Sequence, residues 1–432
     1  MFKVMIKKIT FLFYILFFIF NVVVVIDKGY VFTYDTASYL YIRPNVQPAY
    51  SIFLNIVKRI FGINYKEATI GIQLLMSYLT MLYFSEVLKK YFKFNSVVMI
   101  LLFMLLTYPI YGSYGMCNKL VTKSLSTTFF LFFMASSVKW FFTKKNKHIF
   151  FMITFLVLLQ LTRAQFLSIS IALVLFVFYM WSLKELKKKM ILVVLILSIP
   201  LISGLLEKTI YGVFHGHYTS RQLGNVSIST LPFYLSELQD YKLMPDEEVV
   251  QYFRCVHGSL EEKKLLLCQL PKNSSLKEKH QFYHDNYPKI MNQTIEYEAK
   301  SMYRGKEMSY AASYKNVDRI VGKTLIPLFM ARPLAWSEMF YMNLAFPYYS
   351  IIPVIFLILL VSYLFFKKKS KILQFQGLIY FFSLLILGNL FLISISLHCI
   401  RRYFMYYDIV FALLALLLLC NFRPIKKYIM QV

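Results

Sequence analysis

Residues 8–26 read "KITFLFYILFFIFNVVVVI", and a few residues later residues 32–54 read "FTYDTASYLYIRPNVQPAYSIFL". The first stretch is an almost unbroken apolar run. A run of roughly 17–25 apolar residues matches the hydrocarbon thickness of a bilayer when it is helical. The second stretch carries Asp35, Arg43, Pro44, Pro48 and four tyrosines, just where the chain leaves that apolar run. The first stretch sets the fold class, and the second asks why a greasy chain places an acid and a base at a membrane boundary.

Composition supports a membrane chain throughout. Of 432 residues, 58% are hydrophobic and 18% aromatic, and the mean hydropathy is +0.57. A water-soluble fold this apolar would expose large sticky patches. The expected fold class is an all-α polytopic membrane protein with about ten transmembrane helices. The apolar segments fall near 8–26, 67–87, 96–113, 122–142, 148–162, 164–183, 190–206, 347–366, 373–395 and 403–421. No small-residue cleavage site precedes "DKGYVF", so the first is read as a retained anchor.

The formal charge of +27 raises the question of nucleic acid. The basic residues do not gather on one domain, as a nucleic-acid footprint would require. They sit in every second gap: Lys3, Lys7 and Lys8; Lys89, Lys90 and Lys93; Lys144–His148; Lys184–Lys189; Lys367–Lys371; and Arg423, Lys426 and Lys427. Alternate basic loops mark the cytoplasmic side. Both termini are then expected in the cytoplasm, most simply beneath a bacterial inner membrane, with no nucleic-acid partner.

Two outward segments are long. The first, 27–66, lies within an N-terminal membrane module, 1–206. The second, 207–346, is polar enough to fold in water and precedes the C-terminal spans, 347–432. In the first, "AYSIFLNIVKRIFGI" from Ala49 puts Ile52, Ile56, Ile60 and Phe61 along one side, which predicts an interfacial amphipathic helix. Pro44 and Pro48 would set its start. The second is expected to be mostly helical, from "PDEEVVQYFRCV", "EEKKLLLCQL", "SLKEKHQFYHDNY" and "YKNVDRIVGKTLIPLFMA". Cys255 and Cys268 both fall there, where an oxidising compartment would allow a bridge and free thiols are equally in keeping. "FHGHYTSRQLGN", Phe214–Asn225, has two histidines at i, i+2 and Arg221, but no third ligand, and reads as a solvated loop.

An acid at the outer boundary of a span is costly and invites a functional reading; the plain alternative is that Asp35 starts a short helix. A reaction on that side has no ATP. Glycosyl transfer from a polyprenyl-phosphate sugar meets that constraint, because the donor brings its own leaving group. It needs a carboxylate to take the acceptor's proton, cations to steady the phosphate and an apolar groove for the prenyl chain.

The order of one span, an acid in the first outer loop, "RPNVQPAYSIFL" and an interfacial helix resembles the GT-C superfamily of membrane glycosyltransferases, which includes protein O-mannosyltransferases and aminoarabinose transferases. The matching positions are Asp35, Tyr39, Arg43, Pro44, Pro48 and Tyr50. "LQLTRAQFL" (Leu159–Leu167) is similar to the superfamily's Leu-Thr-Arg segment, and "HCIRRYFMYYDIVF" (His398–Phe411) to the Arg-Tyr that opens its last span. The resemblance implies Asp35 as catalytic base of an inverting transfer. It implies Arg163, Arg401, Arg402 and Tyr403 as donor-phosphate contacts, and Arg43, Tyr39 and Tyr50 as acceptor or sugar positioners. The implied partners are a polyprenyl-phosphate-linked sugar, a glycan or glycolipid acceptor such as lipopolysaccharide O-antigen, and membrane lipids.

Two departures bear on metal. Thr36 follows Asp35 where relatives carry a second acid, and Lys123 in "LVTKSLS" replaces a glutamate. No cofactor is expected, and the sequence supports no divalent metal. Lys119 and Lys123 are further cations for a donor phosphate. The rival readings are an O-antigen polymerase or ligase, which would use Arg221 and its neighbours, and a glycolipid transporter or flippase, which usually shows repeated halves that are not visible here.

Overall fold

In the computed structural model the described residues are 2–112, 114–179, 186–216, 218, 224–304, 310–366, 374–396, 399 and 403–420. The basic runs Lys184–Lys189, Lys367–Lys371 and Arg423–Lys427 lie wholly or partly outside them. About 86% of the structure is helical, and no strand occurs among the described residues.

The first half runs α1 (Phe2–Lys28), α2 (Tyr34–Leu40), α3 (Pro48–Phe61), α4 (Tyr65–Phe92), α5 (Ser96–Tyr111), α6 (Lys123–Thr143), α7 (Asn146–Thr162), α8 (Leu167–Tyr179) and α9 (Leu186–His215). The middle runs α10 (Gly224–Leu235), α11 (Glu247–Glu262), α12 (Leu276–Ile290), α13 (Glu296–Ser301), α14 (Tyr310–Ala331) and α15 (Pro333–Ala345). The chain closes with α16 (Ile352–Phe366), α17 (Gln374–Ser396) and α18 (Met405–Cys420).

Among the described residues five helical runs are long and apolar enough to cross a membrane, or six if Pro333–Tyr348 and Ile352–Phe366, bent by 94°, count as one broken span. This is a membrane protein. Within the described residues the ten apolar segments are largely helical, and four of the shorter apolar helices, Ser96–Tyr111, Asn146–Thr162, Ala164–Tyr179 and Met405–Cys420, have 16 or 17 residues. At 1.5 Å rise per residue these reach about 24–26 Å, short of a ~30 Å hydrocarbon core. Length and composition of the described residues therefore carry five or six spans. Outward-facing side chains of α1 and α9, among them Ile9, Phe11, Val23, Val194, Leu201 and Leu205, are exposed, as lipid-facing surfaces require.

The interior of the bundle is tied by hydroxyls and amides. Ser77 on α4 meets Ser124 on α6 at 2.7 Å. Gln160 on α7 donates to Ser170 Oγ on α8 at 2.9 Å and accepts from Ser203 Oγ on α9 at 2.7 Å. Such bonds between apolar helices are worth about 0.6 kcal/mol each on average.

Pro48 is the first residue of α3, as a fixed φ and a missing N–H favour. The face of Tyr50, Leu54 and Val57 is buried, while Ile56, Ile60 and Phe61 are exposed. The expected apolar side thus faces outward, and a second apolar face packs inward. At Gly62, φ is +56° and ψ is −123°, which suits only glycine. The chain folds back there, so that Tyr50 and Gln73, 23 residues apart, share a buried hydrogen bond. α3 consequently leans back along α4 instead of lying free of the bundle.

A second hydrophobic core, separate from the bundle's, runs from Val226 to Met339. Local signals hold its helices. Asp246 caps α11 by accepting from Val249 N at 3.0 Å. Ser275 and Glu278 form a capping box on α12. On α14, Val317, Ile320, Val321 and Leu328 are buried. One expectation fails. "EEKKLLLCQL" is not a helix: α11 ends at Glu262 and only a 3-10 turn, Leu267–Gln269, follows. α9 runs unbroken across position 207 to His215. Cys255 and Cys268 are exposed free thiols.

Candidate active site

α2 is a seven-residue helix whose start is held by threonines. Thr33 N donates to Thr36 Oγ1 at 2.9 Å, and Thr36 Oγ1 donates to the Leu120 carbonyl at 3.2 Å. Capping therefore belongs to Thr33 and Thr36, not to Asp35. Asp35 is exposed in the first turn, where a carboxylate is favoured by the helix dipole. Among the described residues no ion pair engages it.

Tyr39 lies one turn beyond Asp35, on the same helical face. It is buried and packs edge-on against Tyr50 with centroids 5.0 Å apart. Tyr50 is fully enclosed. Its hydroxyl donates to Gln73 Oε1 at 2.9 Å, and Gln73 Nε2 donates to the Cys117 carbonyl at 2.8 Å. Tyr50 thus supports Tyr39 from behind, and stacking on a sugar is closed to it. Asn55 of α3 clamps the end of α2 through the Leu40 carbonyl at 3.2 Å.

Arg43 follows Ile42, a residue with φ of 50°. Its guanidinium lies 5.7 Å from the centre of the exposed Tyr41 ring. Two residues at the end of α9 grip this turn. Tyr211 Oη donates to the Val46 carbonyl, and His215 Nε2 lies 2.7 Å from the Ile42 carbonyl. His215 is therefore a structural contact and not part of a solvated loop.

Arg163 ends α7 in an extended conformation. Its Nη1 donates to Tyr406 Oη at 3.2 Å, and its guanidinium lies 5.5 Å from the Tyr403 ring and 5.9 Å from the Tyr406 ring. The Tyr39 phenol also interacts electrostatically with it. Gln165 Nε2 donates to the Tyr403 carbonyl at 3.3 Å, which fixes the approach of the last span. Two parts of the sequence, the Leu-Thr-Arg segment and the opening of the last helix, thus meet at Arg163. Among the described residues no carboxylate pairs with this cation.

Tyr406 was not singled out in the sequence, although it lies one turn from Tyr403 on the same face. It also lines a narrow cleft between α5, α6 and α18, with Leu105, Pro109, Phe130 and Asp408. Lys123 is nearly buried at the start of α6, 6.0 Å from the Tyr114 ring. His398, Arg401, Arg402 and Arg221 lie outside the described residues.

A guanidinium framed by phenols offers planar N–H donors to an oxyanion such as a phosphate. No group of three or more His, Cys, Asp or Glu suited to a metal occurs among the described residues. No protein-family model matches the chain, and no curated protein or solved structure is detectably similar to it.

Proposed function

We propose that the protein is a membrane glycosyltransferase of GT-C type, which passes a sugar from a polyprenyl-phosphate donor to an acceptor hydroxyl on the outer side of the membrane. The observation that supports this reading is Arg163: a half-buried cation that donates to Tyr406 and lies over the Tyr403 and Tyr406 rings, with no acid paired to it among the described residues. A partly desolvated charge near the bilayer favours an opposite charge, and a lipid-linked phosphate supplies one.

In this reading Asp35 accepts the acceptor's hydroxyl proton. The freed oxygen pair attacks the anomeric carbon, and the bond from that carbon to the phosphate oxygen breaks. Polyprenyl phosphate leaves with the bonding pair, steadied by Arg163 and by Arg401 and Arg402. One displacement inverts the anomeric centre. Asp35 stands one turn before Tyr39 on α2, which supports its assignment as the base in this reading. Arg43 remains the positioner for the acceptor.

The topology that goes with this reading has ten spans, with the short helices tilted or partly interfacial. Both termini lie in the cytoplasm of a bacterial cell, and the core from Val226 to Met339 lies on the outer face of the inner membrane. The alternating basic gaps support that orientation. The acceptor is a surface glycan of the lipopolysaccharide O-antigen type.

The test is glycan analysis of cells lacking the gene, together with purified protein in vesicles given a lipid-linked sugar pool. The reading requires a missing sugar in the first and a new glycosidic bond in the second. An unchanged glycan and a glycolipid merely moved across the vesicle membrane would overturn it.

A further inference from the structure

His280 and His284 stand one turn apart on α12, and their Nε2 atoms lie 3.1 Å from each other. His280 Nε2 is also 2.9 Å from Asn343 Oδ1, on α15. The other end of that amide is committed: Asn343 Nδ2 donates to the Ser394 carbonyl, on α17, at 3.0 Å. The amide oxygen therefore faces the histidines. His280 and Asn343 are each 1% exposed and His284 is 9% exposed. Phe346 closes the site, stacked on His284 at 4.6 Å and lying 5.3 Å from His280.

Proton accounting makes this cluster unusual. An amide oxygen only accepts, so a hydrogen bond to Asn343 requires a proton on His280 Nε2. That proton leaves His284 Nε2 either sharing it as a second acceptor or presenting its own N–H against another N–H. A cation bound beside His280 Nε2 would replace that shared proton and take a lone pair from each nitrogen and from the oxygen. Bonds of 2.0–2.1 Å at tetrahedral angles place two donors about 3.3 Å apart, so the 3.1 Å and 2.9 Å pairs found here would open by a few tenths of an ångström around an ion. A helical pair at i, i+4 is a spacing at which two imidazoles reach one zinc ion.

We propose that His280, His284 and Asn343 form a binding site for a divalent transition-metal ion, with zinc the best fit. Imidazole nitrogen suits Zn, Cu, Fe and Ni, and the Irving–Williams order leaves selection among them to geometry. Ser394 acts as the outer partner that orients the Asn343 oxygen. Three neutral protein donors leave a fourth position for water or hydroxide. The ion joins the second core, through α12, to α15 and by the Asn343–Ser394 bond to α17. This assignment is independent of the glycosyltransferase reading.

The experiment uses the full-length chain without a polyhistidine tag, purified in detergent, stripped with chelator and titrated with Co2+ and Zn2+. The wild type is expected to bind one equivalent, to give the visible absorption bands of tetrahedral Co2+, and to melt at least 5 °C higher with Zn2+ than without. H280Q and H284Q, checked to melt within 3 °C of the stripped wild type, are expected to bind at least tenfold more weakly and to lose the Zn2+ shift. The spectrum of the wild type alone decides the matter if a variant fails to fold. No tetrahedral bands, less than half an equivalent bound, or equal uptake by folded H280Q and H284Q, which would mark an adventitious ion only, overturns the proposal.

Discussion

Arg163 Nη1 donates to Tyr406 Oη across 3.2 Å, joining the end of α7 to the first turn of α18 over 243 residues of sequence. A bond of that reach makes the two segments one site. Removing the hydroxyl alone, with Tyr406→Phe, keeps the ring and its packing on Phe166. Hydrogen bonds to charged groups are worth about 1.5–3 kcal/mol. Donor KM is expected to rise about ten- to a hundred-fold by that measure, with melting temperature little changed.

Arg163→Lys keeps the charge but loses the planar fork that grips a phosphate through two N–H groups. Transfer is expected to fall at least tenfold in Arg163→Lys and further in Arg163→Ala. Measured rates with lipid-linked donor check this, and equal rates in wild type and Arg163→Lys would show that shape is irrelevant at this position.

Tyr50 tests the difference between support and contact. Tyr50→Phe breaks the buried bond to Gln73 and strands an acceptor, which costs about 1–3 kcal/mol. Thermal melting is expected to drop by several degrees. Activity per folded molecule is expected to stay within about threefold, since a loss below 1 kcal/mol at the reacting centre is less than a factor of ten.

Acid should loosen the second core before the bundle. The Tyr303 hydroxyl and the Arg319 guanidinium hold the Glu248 carboxyl below its ordinary range, and the Lys323 ammonium does the same for Asp246. A depressed folded pKa gives stability that is complete above the unfolded value, about 4–4.5 for these groups, and is lost as pH falls through the folded value. Melting temperature is expected to be insensitive to these groups from pH 7 to about 5 and to fall below that. Arg319→Met should flatten the fall.

Much of the fold was legible from the residues. Within the described residues the apolar segments are largely helical, as the bilayer's demand for internally satisfied backbone groups leads one to expect. Pro48 starts α3, Ser275 and Glu278 start α12, and the Val317–Leu328 stripe faces a core. Local signals failed where a distant partner decides. Nothing in "KRIFGINYKE" announces that α3 folds back on α4, although Gly62 is the hinge. Tyr50 looked like its neighbouring tyrosines until Gln73 and Cys117 enclosed it. Glu261–Leu270 has helical composition but turns at Lys264, where φ is 54°. Around Arg163, the resemblance singles out Tyr403, which packs there. Tyr406 became visible only when α7 and α18 were brought together.

Asp35 bears the whole chemical account, and its replacement tests that account most directly. Asp35→Asn keeps the size, removes the base, and leaves the Thr33–Thr36 cap intact. Removing a general base costs about 10²- to 10⁴-fold in rate. With purified protein and a lipid-linked sugar, the variant is expected to fold and melt like wild type and to transfer at least a hundred-fold more slowly. Transfer by Asp35→Asn within a few-fold of wild type would contradict the account.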